Sequence, residues 1–180
     1  MGKLNKRIFL IGMMGAGKTY RAQKLSGYFE IPWFDTDVMI EQEAGKTIKE
    51  IFAEEAGEAR FRLMENELLH RYPWPEGCII SCGGGMPCFH NNLGKMLDEG
   101  IVVWLNPGIS ILSERLWKEN AHRPMVVASA TREALEERLT ELTRVREPFF
   151  KRASIEIKGN PSTKEFNDML MAAFALLERE

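Results

Sequence analysis

Eight consecutive residues carry the clearest chemical signal in this chain: Gly12-Met13-Met14-Gly15-Ala16-Gly17-Lys18-Thr19. Three glycines let backbone N–H groups turn inward on an anion, and a helix starting after them adds the positive end of its dipole. Lys18 can reach the outer phosphates of a nucleotide, and the Thr19 hydroxyl can hold Mg²⁺. The pattern predicts a nucleoside triphosphate site cradled by Gly12, Gly15, Ala16 and Gly17. Asp35-Thr36-Asp37 adds two carboxylates that share one face if the segment is extended. Either one is equally a helix cap for a segment starting at Val38. Gly83-Gly84-Gly85 offers bare backbone that either meets a ligand or permits a bulge. Arginine forks suit carboxylates. Arg60, Arg62 and Glu65 also read as an ordinary solvated helix face, and Arg123 and Arg146 as surface arginines.

Such chemistry needs elements that bring distant stretches together. The apolar run Ile8-Phe9-Leu10-Ile11 before the loop and the helix-permissive stretch Tyr20 to Phe29 after it supply the strand and helix that a phosphate loop requires. Ile31-Pro32-Trp33-Phe34 makes a second short strand, with Pro32 at its start or on an edge, and ends at Asp35. Thr47-x-x-Glu50 is a capping box opening a helix to Ala56, with Gly57 as its stop, and another helix runs from Glu58 to about His70. Cys78-Ile79-Ile80-Ser81 lacks helical period and reads as a buried strand. Beyond it come a helix at Asn92–Glu99, a strand at Ile101–Leu105, a helix at Ile109–Trp117 and a mobile loop from Lys118 to Pro124. A charged helix at Arg132–Arg144, a strand at Ile155–Ile157 and a helix capped by Ser162-x-x-Glu165 close the chain. Five strands alternating with helices predict a parallel α/β sheet, in which ligands sit outside the carboxyl ends of the strands. No repeat, low-complexity tract or linker interrupts the 180 residues, so a single domain is expected over 1–180.

A formal charge of −2 leaves no global footprint for nucleic acid or an anionic membrane. The first apolar run is too short for a signal peptide, and no stretch reaches membrane-spanning length. Three cysteines, an odd number in a chain without secretion signals, suit a reducing compartment. These features predict a cytoplasmic protein with small-molecule partners, no nucleic acid and no membrane, and a monomer is expected.

The phosphate loop, Asp35-Thr36-Asp37, Phe61-Arg62-x-x-Glu65, Gly83-Gly84-Gly85, Arg123-Pro124 and Arg146-x-Pro148, in that order, resemble the shikimate kinases over nearly the whole chain. The resemblance implies a three-layer sandwich like that of the nucleoside monophosphate kinases: a five-stranded parallel sheet of order 2-3-1-4-5 flanked by helices, with a mobile lid near 118–131. It implies ATP as co-substrate, Mg²⁺ as cofactor and phosphorylation of the 3-hydroxyl of shikimate to shikimate 3-phosphate. Carried onto this sequence, Lys18, Asp37 and the lid arginine Arg123 are catalytic, with Asp37 binding the acceptor hydroxyls as the candidate base. Thr19 ligates Mg²⁺ directly and Asp35 holds it through water. Arg62 and Arg146 bind the acceptor's carboxylate with help from Gly83, Gly84 and Gly85, and Glu65, one turn from Arg62, orients that guanidinium. Arg115 stacks on adenine beside Asn160 and Pro161. Met125-Val126-Val127 after the lid arginine and Cys82 before the glycines depart from the family pattern. A gluconate-type kinase, or a nucleotide-binding module without catalysis, shares the loop without needing the other motifs together.

Overall fold

The structure is a computed structural model that describes residues 5–118, 129 and 131–177. Its centre is β1 (Arg7–Ile11), whose residues Ile8 to Ile11 are fully buried. Parallel neighbours lie on both sides: β3 (Ile79–Ser81), with Phe9 opposite Ile80, and β4 (Gly100–Asn106), with Phe9 opposite Val102. The edges are β2 (Trp33–Asp35), paired with β3, and β5 (Ile155–Lys158), paired with β4, which makes the order 2-3-1-4-5. Strands covered on both faces need unbroken apolar runs, as β1, β3 and β4 have. On the edge strand β5, buried Ile155 and Ile157 alternate with exposed Glu156 and Lys158.

Helix α1 (Lys18–Phe29) starts directly on the phosphate loop and lies over β1, β2 and β3. After β2 the chain makes three helices, α2 (Thr36–Ala44), α3 (Ile48–Ala53) and α4 (Gly57–Arg71), which pack largely on one another. A short 3₁₀ turn, Met86–Cys88, follows β3 and leads to α5 (Asn92–Glu99). Helix α6 (Ile109–Lys118) packs against α7 (Arg132–Phe150), and α8 (Thr163–Leu177) sits over β5 beside α1. The expected capping boxes are both present: Thr47 with Glu50, and Ser162 with Glu165. Among the described residues no helix is long and apolar enough to cross a membrane.

Of the boundaries that differ from expectation, three have a clear physical cause. Asp37 is not on an extended segment, because the Asp35 carboxylate accepts from the N–H groups of Asp37 and Val38 and starts α2 at Thr36. Gly57 opens α4 instead of stopping α3: its missing side chain lets the helix start against the Ile51 carbonyl, and Ala56 takes the left-handed turn before it. Helix α7 continues past Arg144 to Phe150 with Pro148 inside it. There the N–H of Lys151 still reaches the Glu147 carbonyl and the Phe150 ring packs 5.7 Å from that of Trp104, so packing outweighs one missing helical donor.

Candidate active site

Because all five strands run the same way, their carboxyl ends deliver residues 12–17, Asp35, residues 82–85 and Asn160 to one edge of the sheet. There Met14 to Thr19, Asp35, Asp37, Ser81, Cys82, Gly84, Arg115 and Asn160 line a cleft of about 560 Å³. At its floor Lys18 Nζ donates to the carbonyls of Gly12 (3.0 Å) and Met13 (3.1 Å), curled over the loop it belongs to. The Thr19 hydroxyl donates to Asp35 Oδ2 at 2.7 Å and lies 3.3 Å from Ser81 Oγ. Three hard oxygen donors from α1, β2 and β3 thus converge beside the phosphate loop, a donor set that suits Mg²⁺, which takes few protein ligands and keeps several waters.

Asp37 stands in the first turn of α2, half-buried as a residue, with Oδ1 out of solvent and without a hydrogen-bond partner. Burial, then the charge of Asp35, pushes its pKa from 3.8 up to about 6, while Lys18 and Arg62 pull the other way. Glu65 on α4 is fully buried, and burial lifts its pKa to about 7 against the pull of Arg62. Its Oε1 also lacks a hydrogen-bond partner. A Cβ on Gly83 would stand 2.5 Å from Glu65 Oε1 and 2.7 Å from Asp37 Oδ1, so the two carboxyl groups face each other across a bare Cα. The Gly83 N–H is already taken by the Thr36 hydroxyl at 2.9 Å. What Gly83 gives these two carboxyl groups is therefore absent volume, and of the three glycines it is Gly84 that lines the cleft.

Arg62, from α4, is buried with Nη1 on Glu65 (2.8 Å) and Nη2 on the exposed carboxylate of Glu58 (3.1 Å). Arg146, from α7, donates to the Gly84 carbonyl at 3.2 Å and touches Met13 sulfur at 3.9 Å, which ties the glycine turn to the phosphate loop. Burial lowers its pKa from the usual arginine value. At the other end of the cleft Arg115 donates to the Gly15 carbonyl (2.9 Å) and to Asn160 Oδ1 (2.6 Å), while the Pro161 carbonyl accepts from Arg21. Arg123 and most of 118–131 lie outside the described residues. Ser81 and Glu58 escaped sequence reasoning. Ser81 sits in an apolar strand, and Glu58 is one of several acids on a charged helix.

A sequence model of the shikimate kinase family matches residues 14–173 of this chain. The shikimate kinase of Cereibacter sphaeroides is 33% identical over 165 residues, covering 92% of this chain and 80% of that protein. The crystal structure of the Bacteroides thetaiotaomicron shikimate kinase superposes with a TM-score of 0.81 at 31% identity, covering 96% of this chain and 98% of the other. That of Acinetobacter baumannii, solved in complex with shikimate, gives 0.79 at 28% identity over 98% and 96%. A Sinorhizobium meliloti gluconokinase, at 16% identity and a TM-score of 0.62, shares the fold alone.

Proposed function

This chain belongs to the shikimate kinase family, and from that premise we propose how its residues divide the transfer of the γ-phosphoryl group of ATP to the 3-hydroxyl of shikimate. The observation that carries the reading is the position of Asp37. Its carboxyl group lies within electrostatic reach of Lys18 in the phosphate loop and of Arg62, while Arg146 closes the same space over Gly84.

Arg62 and Arg146 bind the carboxylate of shikimate, which sets its ring hydroxyls toward Asp37. Asp37, ionised above about pH 6, orients the 3-hydroxyl and takes its proton as the new O–P bond forms and the bond from the γ-phosphorus to the bridging oxygen breaks. In a loose transition state the orienting role outweighs proton abstraction. Lys18 leaves its loop carbonyls to neutralise charge growing on the departing ADP. Mg²⁺, when bound, spreads the phosphate charge. Thr19 and Asp35 are the residues that would hold it, the hydroxyl directly and the carboxylate through water. Arg115, Asn160 and Pro161 border the adenine end, and Arg123, in the expected lid stretch near 118–131 that lies outside the described residues, acts on the phosphates within the single domain. The protein works as a monomer in the cytoplasm, without nucleic-acid or membrane partners.

ATP consumption measured side by side with shikimate, gluconate and nucleoside monophosphates tests this reading. Shikimate alone should stimulate turnover, with the product phosphorylated on the 3-hydroxyl by NMR. Comparable turnover with gluconate, or ATP hydrolysis indifferent to any acceptor, would overturn it.

A further inference from the structure

We propose that Phe89 is a positioning residue for shikimate, holding the Arg62 guanidinium in the orientation that receives the substrate's carboxylate. The inference rests on the assignment of Arg62 to that carboxylate. Arg62 Cζ lies over the Phe89 ring at 4.6 Å from its centroid, closer than to Phe61 (5.4 Å) or Phe52 (5.9 Å). The guanidinium also lies flat against Gly85: Cζ, Nη1 and Nη2 are each 2.7 Å from where a Cβ would stand. With Nη1 on Glu65 and Nη2 on Glu58, its in-plane edges are fixed by carboxylates and its plane by a bare Cα and an aromatic ring.

Phe89 is 37% exposed whereas Phe61 is 3% exposed, so Phe89 is not core filling. The chain nevertheless holds it firmly. It follows the 3₁₀ turn Met86–Cys88 and precedes two consecutive left-handed residues that are not glycine, His90 (φ 51°) and Asn91 (φ 56°). Such strain persists only where surrounding structure enforces it. Here Asn92 donates from its backbone to the Phe89 carbonyl (2.9 Å) and from its side chain to the Met86 carbonyl (3.0 Å), and it accepts from Asn66 (2.8 Å). Asn66 lies on α4, one turn from Arg62, so the ring and the guanidinium are fastened to the same helix. A cation held over an aromatic face keeps its attraction when substrate excludes water.

The test compares Phe89→Leu, which keeps apolar bulk, with Phe89→Tyr, which keeps the aromatic face, by steady-state kinetics, calorimetric titration of shikimate and thermal melting. Phe89→Leu should raise KM and Kd for shikimate about 3- to 30-fold with KM for ATP and kcat nearly unchanged, and Phe89→Tyr should restore both. In an Arg62→Gln background Phe89→Leu should weaken shikimate no further. Unchanged shikimate affinity in Phe89→Leu, or equal behaviour of the Leu and Tyr variants, overturns the proposal. If Arg62→Gln itself leaves shikimate affinity intact, the carboxylate assignment falls and this inference with it. If Arg62→Gln weakens binding while Phe89→Leu does not, the role of Phe89 falls alone.

Discussion

Replacing Asp37 by Asn should slow the enzyme and stabilise it. The Asp37 pKa rises from 3.8 to about 6 on folding, chiefly through burial. Each unit corresponds to 1.36 kcal/mol, so the ionised carboxylate destabilises the fold by at most about 3 kcal/mol near neutral pH. Between pH 4 and 6 the folded protein retains a proton that the unfolded chain has released, so this group's contribution to stability is fully present below about pH 4 and is lost as pH rises through 6. The amide has no charge to desolvate, and it offers an N–H₂ donor where Asp37 Oδ1 and Glu65 Oε1 both lack partners. The melting temperatures of variant and wild type should therefore nearly coincide at pH 4 and diverge by up to about 10 °C above pH 6.5, at roughly 2–4 °C per kcal/mol for a chain of this size. Glu65 titrates over an overlapping range, so the quantity to read is the difference between the two proteins at each pH. Calorimetric melts without ligand give that difference, and single-turnover experiments at saturating shikimate give the chemical step. A gap that does not widen with pH would refute the burial of Asp37 as a charge. A wild-type single-turnover rate in the variant would refute its role toward the acceptor.

Lys18→Met should lower kcat at least about a hundredfold in a variant that still folds, because the lost ammonium, which rests on the Gly12 and Met13 carbonyls, is the cation assigned to the phosphates; near-normal turnover in a variant with a cooperative circular dichroism melt would exclude it from phosphoryl transfer. Asp35→Asn keeps an oxygen to cap α2 but loses the charge beside Thr19, so the Mg²⁺ concentration for half-maximal rate should rise several-fold with stability retained. An unchanged Mg²⁺ titration would place the metal elsewhere. Glu58→Gln should lower KM for shikimate about 2- to 5-fold, since an exposed carboxylate that holds Arg62 Nη2 competes with the substrate's own. A higher KM would mean that Glu58 assists binding.

The phosphate loop was legible because its chemistry is local: glycines, a lysine and a hydroxyl in one continuous stretch between a strand and a helix. Five strands were legible as apolar runs between turn signals, but their order came from family resemblance, because parallel pairing joins residues far apart in sequence, such as Phe9 with Ile80 and Val102. Asp35 and Asp37 do meet in one cleft, though by a different route from the shared face of an extended segment. Asp35 caps the helix and Asp37 projects from its first turn, and the Asp35 side chain's choice of backbone donors decides this. Gly57 read as a stop because glycine commonly ends helices, whereas the need here is close approach to a neighbouring carbonyl. Ser81, Glu58 and Phe89 carry no sequence signal at all. Each acquires its place only when β3, α4 and the turn after β3 are brought against one another.

The excursion from β2 to β3 has a consequence for how such an enzyme can be diversified. Asp37, Glu58, Arg62 and Glu65 all lie on α2 and α4, helices that leave the sheet at Asp35 and return to the adjacent strand at Ile79. The phosphate loop, Arg115 and Asn160, at the rest of the cleft, come from elsewhere in the chain. On the proposed assignment, acceptor choice would be encoded largely in one uninterrupted portion of the gene between two anchor points that sit side by side, so a substitute portion of another length could be spliced in without touching the phosphate loop. Three positions outside the splice constrain what fits. Gly83 and Gly85 demand that the newcomer either fill the space above their bare Cα atoms, as Asp37, Glu65 and Arg62 do, or accept a hole there, and Arg146, on the proposed assignment, would need a negative partner in the new acceptor.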